Sequence, residues 1–212
     1  MSKTITRLFD NYSDATNAVR ELEKLGVNHD DISIVANNAD KSHGDHVDHD
    51  HAHLHDHGDV SRGAKTGAAL GGAGGLLAGL GLLAIPGLGP IVAAGWLVAT
   101  VAGAGIGAAG GAVTGGIVEA LKNAGHTDEE AHVYSEGVRR GGSLVSAKVP
   151  DDLASEAEAV LQRNKSVDAQ TRGDVYRKAG WSSFDDKAPA YTHEEVERER
   201  SLYQTAAPAP RA

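Results

Sequence analysis

The stretch from Thr66 to Val118 carries no charged residue, and it limits what this chain can fold into more than any other feature. It reads TGAALGGAGGLLAGLGLLAIPGLGPIVAAGWLVATVAGAGIGAAGGAVTGGIV, with Arg62 and Lys65 before it and Glu119 and Lys122 after it. Gly67, Gly71, Gly75 and Gly79 recur at every fourth position, and so do Gly103, Gly107, Gly111 and Gly115. Pro86-Gly87-Leu88-Gly89-Pro90 separates the two series and is a strong turn signal. The pattern predicts a helical hairpin with a glycine groove along each arm. Glycine costs about 1 kcal/mol per residue in a helix interior, so such series make sense where close helix–helix approach offsets the loss.

Two settings satisfy that condition. An arm from Thr66 to Ile85 would measure roughly 30 Å and one from Ile91 to Val118 roughly 42 Å, against a hydrocarbon core of about 30 Å. A hairpin in lipid would return both ends to one side, and Arg62, Lys65, Lys122, Arg139 and Arg140 mark that side as the cytoplasm. The expected location is then cytoplasmic, with inner-membrane association and both termini in the cytoplasm. The other setting is a soluble assembly in whose core the hairpins of several copies are buried.

Composition narrows the function classes. A net charge of −9 argues against general nucleic-acid binding, which needs clustered Lys and Arg. The absence of cysteine excludes disulfides and thiolate metal sites. The N-terminal MSKTITRLFDNYSDA lacks the apolar core of a secretory signal.

Outside the glycine-rich run, the sequence alternates strands and helices. Thr4–Phe9 reads as a strand. Ser13 is a candidate N-cap for a helix carrying Ala15, Val19, Leu22 and Leu25, which Gly26 ends, and Ile32–Ala36 is a second strand. Thr127 and Glu130 form a capping-box pair opening a helix through Arg140. Leu144–Val149 is a strand with Val145, Ala147 and Val149 on one face. A helix bearing Leu153, Ala157, Val160 and Leu161 follows, then a short strand at Val167–Thr171. Without residues 37–142, the order is β-α-β then β-α-β. The expected fold is therefore α+β: a ferredoxin-like split βαβ sandwich, with two helices on one face of a four-stranded antiparallel sheet and the Gly/Ala-rich helical hairpin inserted. Its segments are 1–36 (first half), 37–62 (His/Asp-rich loop), 63–122 (glycine-zipper hairpin), 123–172 (a helix plus the second half) and 173–212 (a polar tail). Within that tail a charged helix from His193 to Tyr203 is expected, tacked to the body by Trp181 and Phe184. Fold analogy points to a homo-oligomer paired through the sheet.

Several of these pieces resemble a known family. ITRLFDNYSDATNAVRELEKLGV with DDISIVA, LLAIPGLGPIVAAGW, EEAHVYSEGVRRGGSLVSAKV and the PAYTHEEVERERSLY tail are similar to bacterial general-stress proteins of the YflT type. The resemblance covers most of the chain outside the His-rich loop. It implies expression under heat, salt or other stress, and no established catalytic chemistry.

The sharpest chemical signal is SHGDHVDHDHAHLHDHGD, which holds His43, His46, His49, His51, His53, His55 and His57 among Asp45, Asp48, Asp50, Asp56 and Asp59. Imidazole with carboxylate suits Zn, Ni or Cu, and the alternating spacing favours loose, exchangeable binding over one defined site. The same tract read blandly is a solvated linker. Read as a pH sensor, it would lose negative charge as its imidazoles protonate. Gly105, Gly107 and Gly110 match G-x-G-x-x-G, but the register of the glycine series explains them equally well, and no acidic-ended second strand follows. Asp128, Glu129 and Glu130 suit a helix N-terminus, while Glu195, Glu197, Glu199, Arg198 and Arg200 read as a solvated helix face. No catalytic set, required cofactor or small-molecule substrate can be assembled. The expectation is a non-enzymatic stress protein that self-assembles or meets the membrane through its hairpin; the alternative is divalent-metal buffering or sensing by the His-rich loop.

Overall fold

The computed structural model describes residues 2–39, 81–85, 87–100 and 116–205. The fold is α+β. Strand β1 (Ser2–Phe9) leads into α1 (Tyr12–Leu25), and a 3-10 turn at His29–Asp31 precedes β2 (Ile32–Asn37). Strands β3 (Gly81–Ile85) and β4 (Gly89–Gly95) come next, then a helical stretch over residues 96–100. The remaining elements are α2 (Gly116–Asn123), α3 (Asp128–Arg139), β5 (Ser143–Pro150), α4 (Ala154–Arg163), α5 (Ala169–Lys178) and α6 (His193–Thr205).

The strands form one sheet in the order β1-β5-β2-β4-β3, with every neighbouring pair antiparallel. Because side chains alternate along a strand, each strand serves two faces. Ile5 and Phe9 of β1, Ile32 and Ile34 of β2, and Val145, Ala147 and Val149 of β5 meet α1 and α4. Those helices contribute Ala15, Ala18, Val19, Leu22, Ala157, Val160 and Leu161 to the same core. Leu8, Val35, Leu144, Ile91 and Ala93 point the other way, toward Ile117, Leu121, Val133, Tyr134 and Val138 of α2 and α3.

The sheet is thus covered on both sides. The sequence pointed to two layers with one sheet face open for pairing; α2, α3 and α5 occupy that face instead. The missing signal was the buried stripe of Ala131, Val133, Tyr134 and Val138 on α3, which needs a partner surface as much as α1 does.

The larger correction concerns the glycine-rich run. Residues 81–95 are not the facing ends of two helices but a β-hairpin in register from Gly81↔Ala93 to Ile85↔Gly89. Strand β4 also pairs with β2, from Ser33↔Gly95 to Asn37↔Ile91. Gly95 shows why glycine is needed there: its φ is +94°, and a Cβ would lie 2.7 Å from the Ser33 Cα and closer still to the Ile32 carbonyl oxygen. The turn is tied down too. Leu88 is fully buried, and at Gly87 (φ +77°) a Cβ would meet the Asp186 Cα at 2.8 Å. The end of the expected second arm also belongs to the body, since Ile117, Ala120 and Leu121 of α2 are buried against the core that α3 lines. Among the described residues no helix is long and apolar enough to cross a membrane.

Smaller differences have local causes. Helix α1 starts after Asn11 rather than at Ser13, and Gly26 closes it in the left-handed conformation as expected. The expected strand at Val167–Thr171 is one bridge, Leu8↔Val167, because Asp168 accepts the Thr171 N–H at 2.8 Å and starts α5. Gly173 therefore sits inside a helix, not at the head of a tail. The Thr127–Glu130 capping box forms in both directions.

Candidate functional site

Two clusters of polar side chains lie against the sheet face that α3 covers. The first grows from a polar row across the strands, Thr6↔Ser146↔Ser33. The Thr6 and Ser146 hydroxyls are 2.8 Å apart, and the Thr6 hydroxyl also meets His126 Nε2 at 2.7 Å. Tyr134 Oη donates to the Thr6 carbonyl at 2.7 Å, and its ring stands edge-on to His126 with centroids 5.7 Å apart. His126 reaches this place because α2 ends at Asn123 and the chain turns sharply into the Thr127 cap. Its Nδ1 lies 3.7 Å from the Glu130 carboxylate, beyond direct hydrogen-bond range.

The series hydroxyl, imidazole, carboxylate has the composition of a proton relay, but Thr6 and Ser146 are fully buried and no substrate reaches them in this arrangement. Burial holds His126 below the ordinary imidazole pKa, helped by the Arg7 charge and opposed by Glu130. Burial also raises Tyr134 to about 12. Both groups are neutral near pH 7. What this arrangement does chemically is satisfy buried polar groups that would otherwise be stranded.

The second cluster sits where α3 ends. Arg140 Nε donates to the buried Glu136 at 2.7 Å and Nη1 to Glu199 of α6 at 3.1 Å, with its guanidinium 4.5 Å above the Tyr176 ring. Burial works against the Arg140 charge, but Glu136 outweighs it and keeps the pKa above the usual arginine value. Arg172 of α5 donates to Asp10 at 2.6 Å and stacks 4.1 Å from the Tyr203 ring. Arg200 of α6 places Nε and Nη2 at 3.1 and 3.0 Å from the Gly141 carbonyl, capping the end of α3. These side chains enclose a cavity of only about 10 Å³, too small for any substrate.

Two open clefts are larger. One of about 450 Å³ borders Asp10, Glu197 and Arg200, and one of about 330 Å³ borders Glu129, Asp174 and Arg177. Their charges are already paired with protein groups: Asp10 with Arg172, Arg200 with Glu197, and Arg177 with both Glu129 and Asp174. Neither has the apolar lining with a few convergent polar groups that marks a ligand pocket. The chain matches no family model, no curated protein and no solved structure.

The residues singled out from sequence fall differently. His43, His46, His49, His51, His53, His55 and His57 lie outside the described residues, as do Gly67, Gly71, Gly75, Gly79, Gly103, Gly107, Gly111 and Gly115. No group of three or more metal-binding side chains occurs among the described residues. The G-x-G-x-x-G reading loses the strand it needs, because residues 96–100 are helical. Glu199 and Arg200 are not on a solvated face. One signal could have found α6 more sharply: Thr192-His193-Glu194-Glu195 repeats the pattern of Thr127–Glu130, and Thr192 N–H donates to Glu195 at 2.8 Å in a second capping box.

Proposed function

We propose that this is a non-enzymatic stress-response protein that self-associates through its glycine series, held out from the edge of an extended ferredoxin-like sheet. The β1-α1-β2 and β5-α4 units, with Val167 bridged to β1, follow the split βαβ order, and the β3–β4 hairpin widens that sheet. The stress context comes from the resemblance to YflT-type proteins.

The observation that carries the reading is the hairpin's place in the sheet. The first glycine series ends at Gly79, two residues before β3, and the second begins at Gly103, soon after β4 ends at Gly95. Gly81 pairs with Ala93, so the chain enters and leaves the hairpin at one end, and the two series are joined to the sheet through neighbouring strands. The hairpin also shortens any membrane arm. Residues 66–80 would reach at most roughly 22 Å as a helix, against a hydrocarbon core of about 30 Å. That favours contacts between copies over a spanning first arm.

Light scattering after size exclusion tests this on the full chain. The wild type is expected as a discrete assembly, and the Gly71→Leu/Gly107→Leu double variant as a smaller species. Equal masses would overturn the reading. Recovery of the wild type only in a carbonate-resistant membrane pellet would move the contact from protein to lipid.

A further inference from the structure

We propose that the C-terminal segment from Trp181 to Tyr203 is a releasable latch that clamps the β3–β4 turn and controls access to the hairpin. The proposal rests on the self-association reading, because the hairpin is the root of both glycine series.

The clamp is formed by residues beyond α5. Phe184 packs into the same core as Leu88, the buried residue at the tip of the turn. The backbone of Asp186 lies over Gly87 and the Ala190 methyl over Gly89, so closely that a Cβ on either glycine would fall at 2.8 Å. Arg139 Nη2 then donates to the Pro189 carbonyl at 3.1 Å, and its guanidinium lies 5.0 Å from the Tyr191 ring. The chain runs directly from these contacts into the Thr192 cap of α6. Turn, linker and helix form one continuous strap.

The far end of the strap is held by contacts that can let go. Among the described side chains of α6, residues 193–203, Val196 is the one buried, seated against Gly141. A helix this short is marginal in water without its seat. Further holds are the charged and aromatic contacts of Glu199, Arg200 and Tyr203 with Arg140, Gly141 and Arg172, and the edge of the Tyr203 ring against Tyr176. The Arg140–Glu199 pair is partly buried, so salt screens it only weakly and denaturant is the agent that loosens it. The seat is also imperfectly satisfied: Arg139 Nε and Trp181 Nε1 are buried without a hydrogen-bond partner among the described residues. By contrast, α1 contributes four buried apolar side chains, Ala15, Ala18, Val19 and Leu22, to the opposite core. The strap buries two apolar side chains, Phe184 and Val196, with Trp181 and Tyr203 packed at its margin, and segments so lightly anchored are where local opening concentrates.

Hydrogen exchange on the full chain tests the latch. In Val196→Asp, a carboxylate replaces the buried valine of α6. Amides of residues 196–203 and the Leu88 amide, bonded to the Ile85 carbonyl at 3.0 Å, are expected to exchange about tenfold faster together, with the amides of Ala18–Leu22 unchanged. Faster exchange in α6 with no change at Leu88 overturns the latch, as does no change in α6. Should this variant unfold as a whole, the wild type compared between zero and sub-denaturing urea gives the same readout: joint acceleration of α6 and Leu88 supports the latch, and their independence overturns it. Light scattering on the same sample keeps the two ideas apart. An opened turn that keeps the mass of an assembly leaves self-association standing and overturns the latch's control of access, whereas a monomer mass in wild type and variant alike refutes self-association and leaves the clamp on the turn standing.

Discussion

Replacing Gly95 by alanine separates the β-hairpin from the helical hairpin that the sequence suggests, because the two predict opposite signs. In a helix interior, Gly→Ala stabilises by about 1 kcal/mol. In the structure Gly95 has φ +94°, where an L-residue is strained by roughly 1–2 kcal/mol. The new methyl also runs into the backbone of Ile32 and Ser33, and no side-chain rotation relieves a clash with backbone. Forcing β4 away from β2 adds roughly 1–3 kcal/mol, as overpacking does elsewhere. The expected loss is therefore about 2–5 kcal/mol, or on the order of 10 °C in Tm for a chain of this size. Gly26→Ala is the control. It has a similarly positive φ of +102° but nothing within 4 Å of the new atom, so it should lose only the strain, about 1–2 kcal/mol. Urea unfolding followed by tryptophan fluorescence suits the purpose, since Trp96 is the next residue and its ring lies 4.2 Å from the Lys148 ammonium. A Gly95→Ala midpoint at or above that of the wild type would refute the β4–β2 pairing. A midpoint equal to that of Gly26→Ala would show that the close approach to Ile32 and Ser33 is absent in solution.

Two further outcomes follow from the described body and from the histidine tract. Burial depresses the folded-state pKa of His126 below its ordinary 6.5, so the unfolded chain takes up that proton first. The resulting stability is complete above about pH 6.5 and declines as the pH falls, and a His126→Gln variant is expected to show a flatter Tm profile between pH 7.5 and 5; parallel profiles would contradict the assignment. Deleting residues 43–57 is expected to abolish Zn or Ni uptake in calorimetric titration while leaving the metal-free Tm unchanged, because β2 ends at Asn37 and β3 starts at Gly81. Retained stoichiometry in the deletion variant would place the metal elsewhere.

Much of the body is legible in the sequence where one period dominates. Alternation in Val145, Ala147 and Val149, the spacing of Ala15, Val19 and Leu22, the Gly26 stop and the Thr127 box each state one answer, and the structure gives that answer. Residues 81–95 were not legible in that way. Leu, Ala, Ile and Val without charges carry no polar phase, so a strand paired on its neighbours and a helix buried all round look alike. Their environment is decided by distant partners such as Ile32–Asn37, which local pattern does not report. Val167–Thr171 misled for a related reason: Val and Thr favour strands, but the Asp168 cap outweighs that preference over so short a segment. The charged seat of α6 was hidden because mixed Glu and Arg look the same on an open face as against buried arginines. The His tract and the glycine series, the most conspicuous features of the sequence, lie outside the described residues altogether.

The central position of β5 has a consequence for the making of the protein. Among the described residues, strand β1 pairs only with β5 and, at Val167, with the chain beyond it; Thr6 meets Ser146 across a separation of 140 residues. At a synthesis rate of about 5–20 residues per second, the N-terminal strand waits roughly 7–28 s before its partner has even been made. Throughout that interval Ile5, Leu8 and Phe9 have no sheet to join, while the uncharged residues 66–118 emerge between the two halves. The nascent chain therefore passes through a long stage in which an unpaired apolar strand and an uncharged segment are exposed together, a stage whose length is set by the position of β5 in the sequence rather than by the rate of folding.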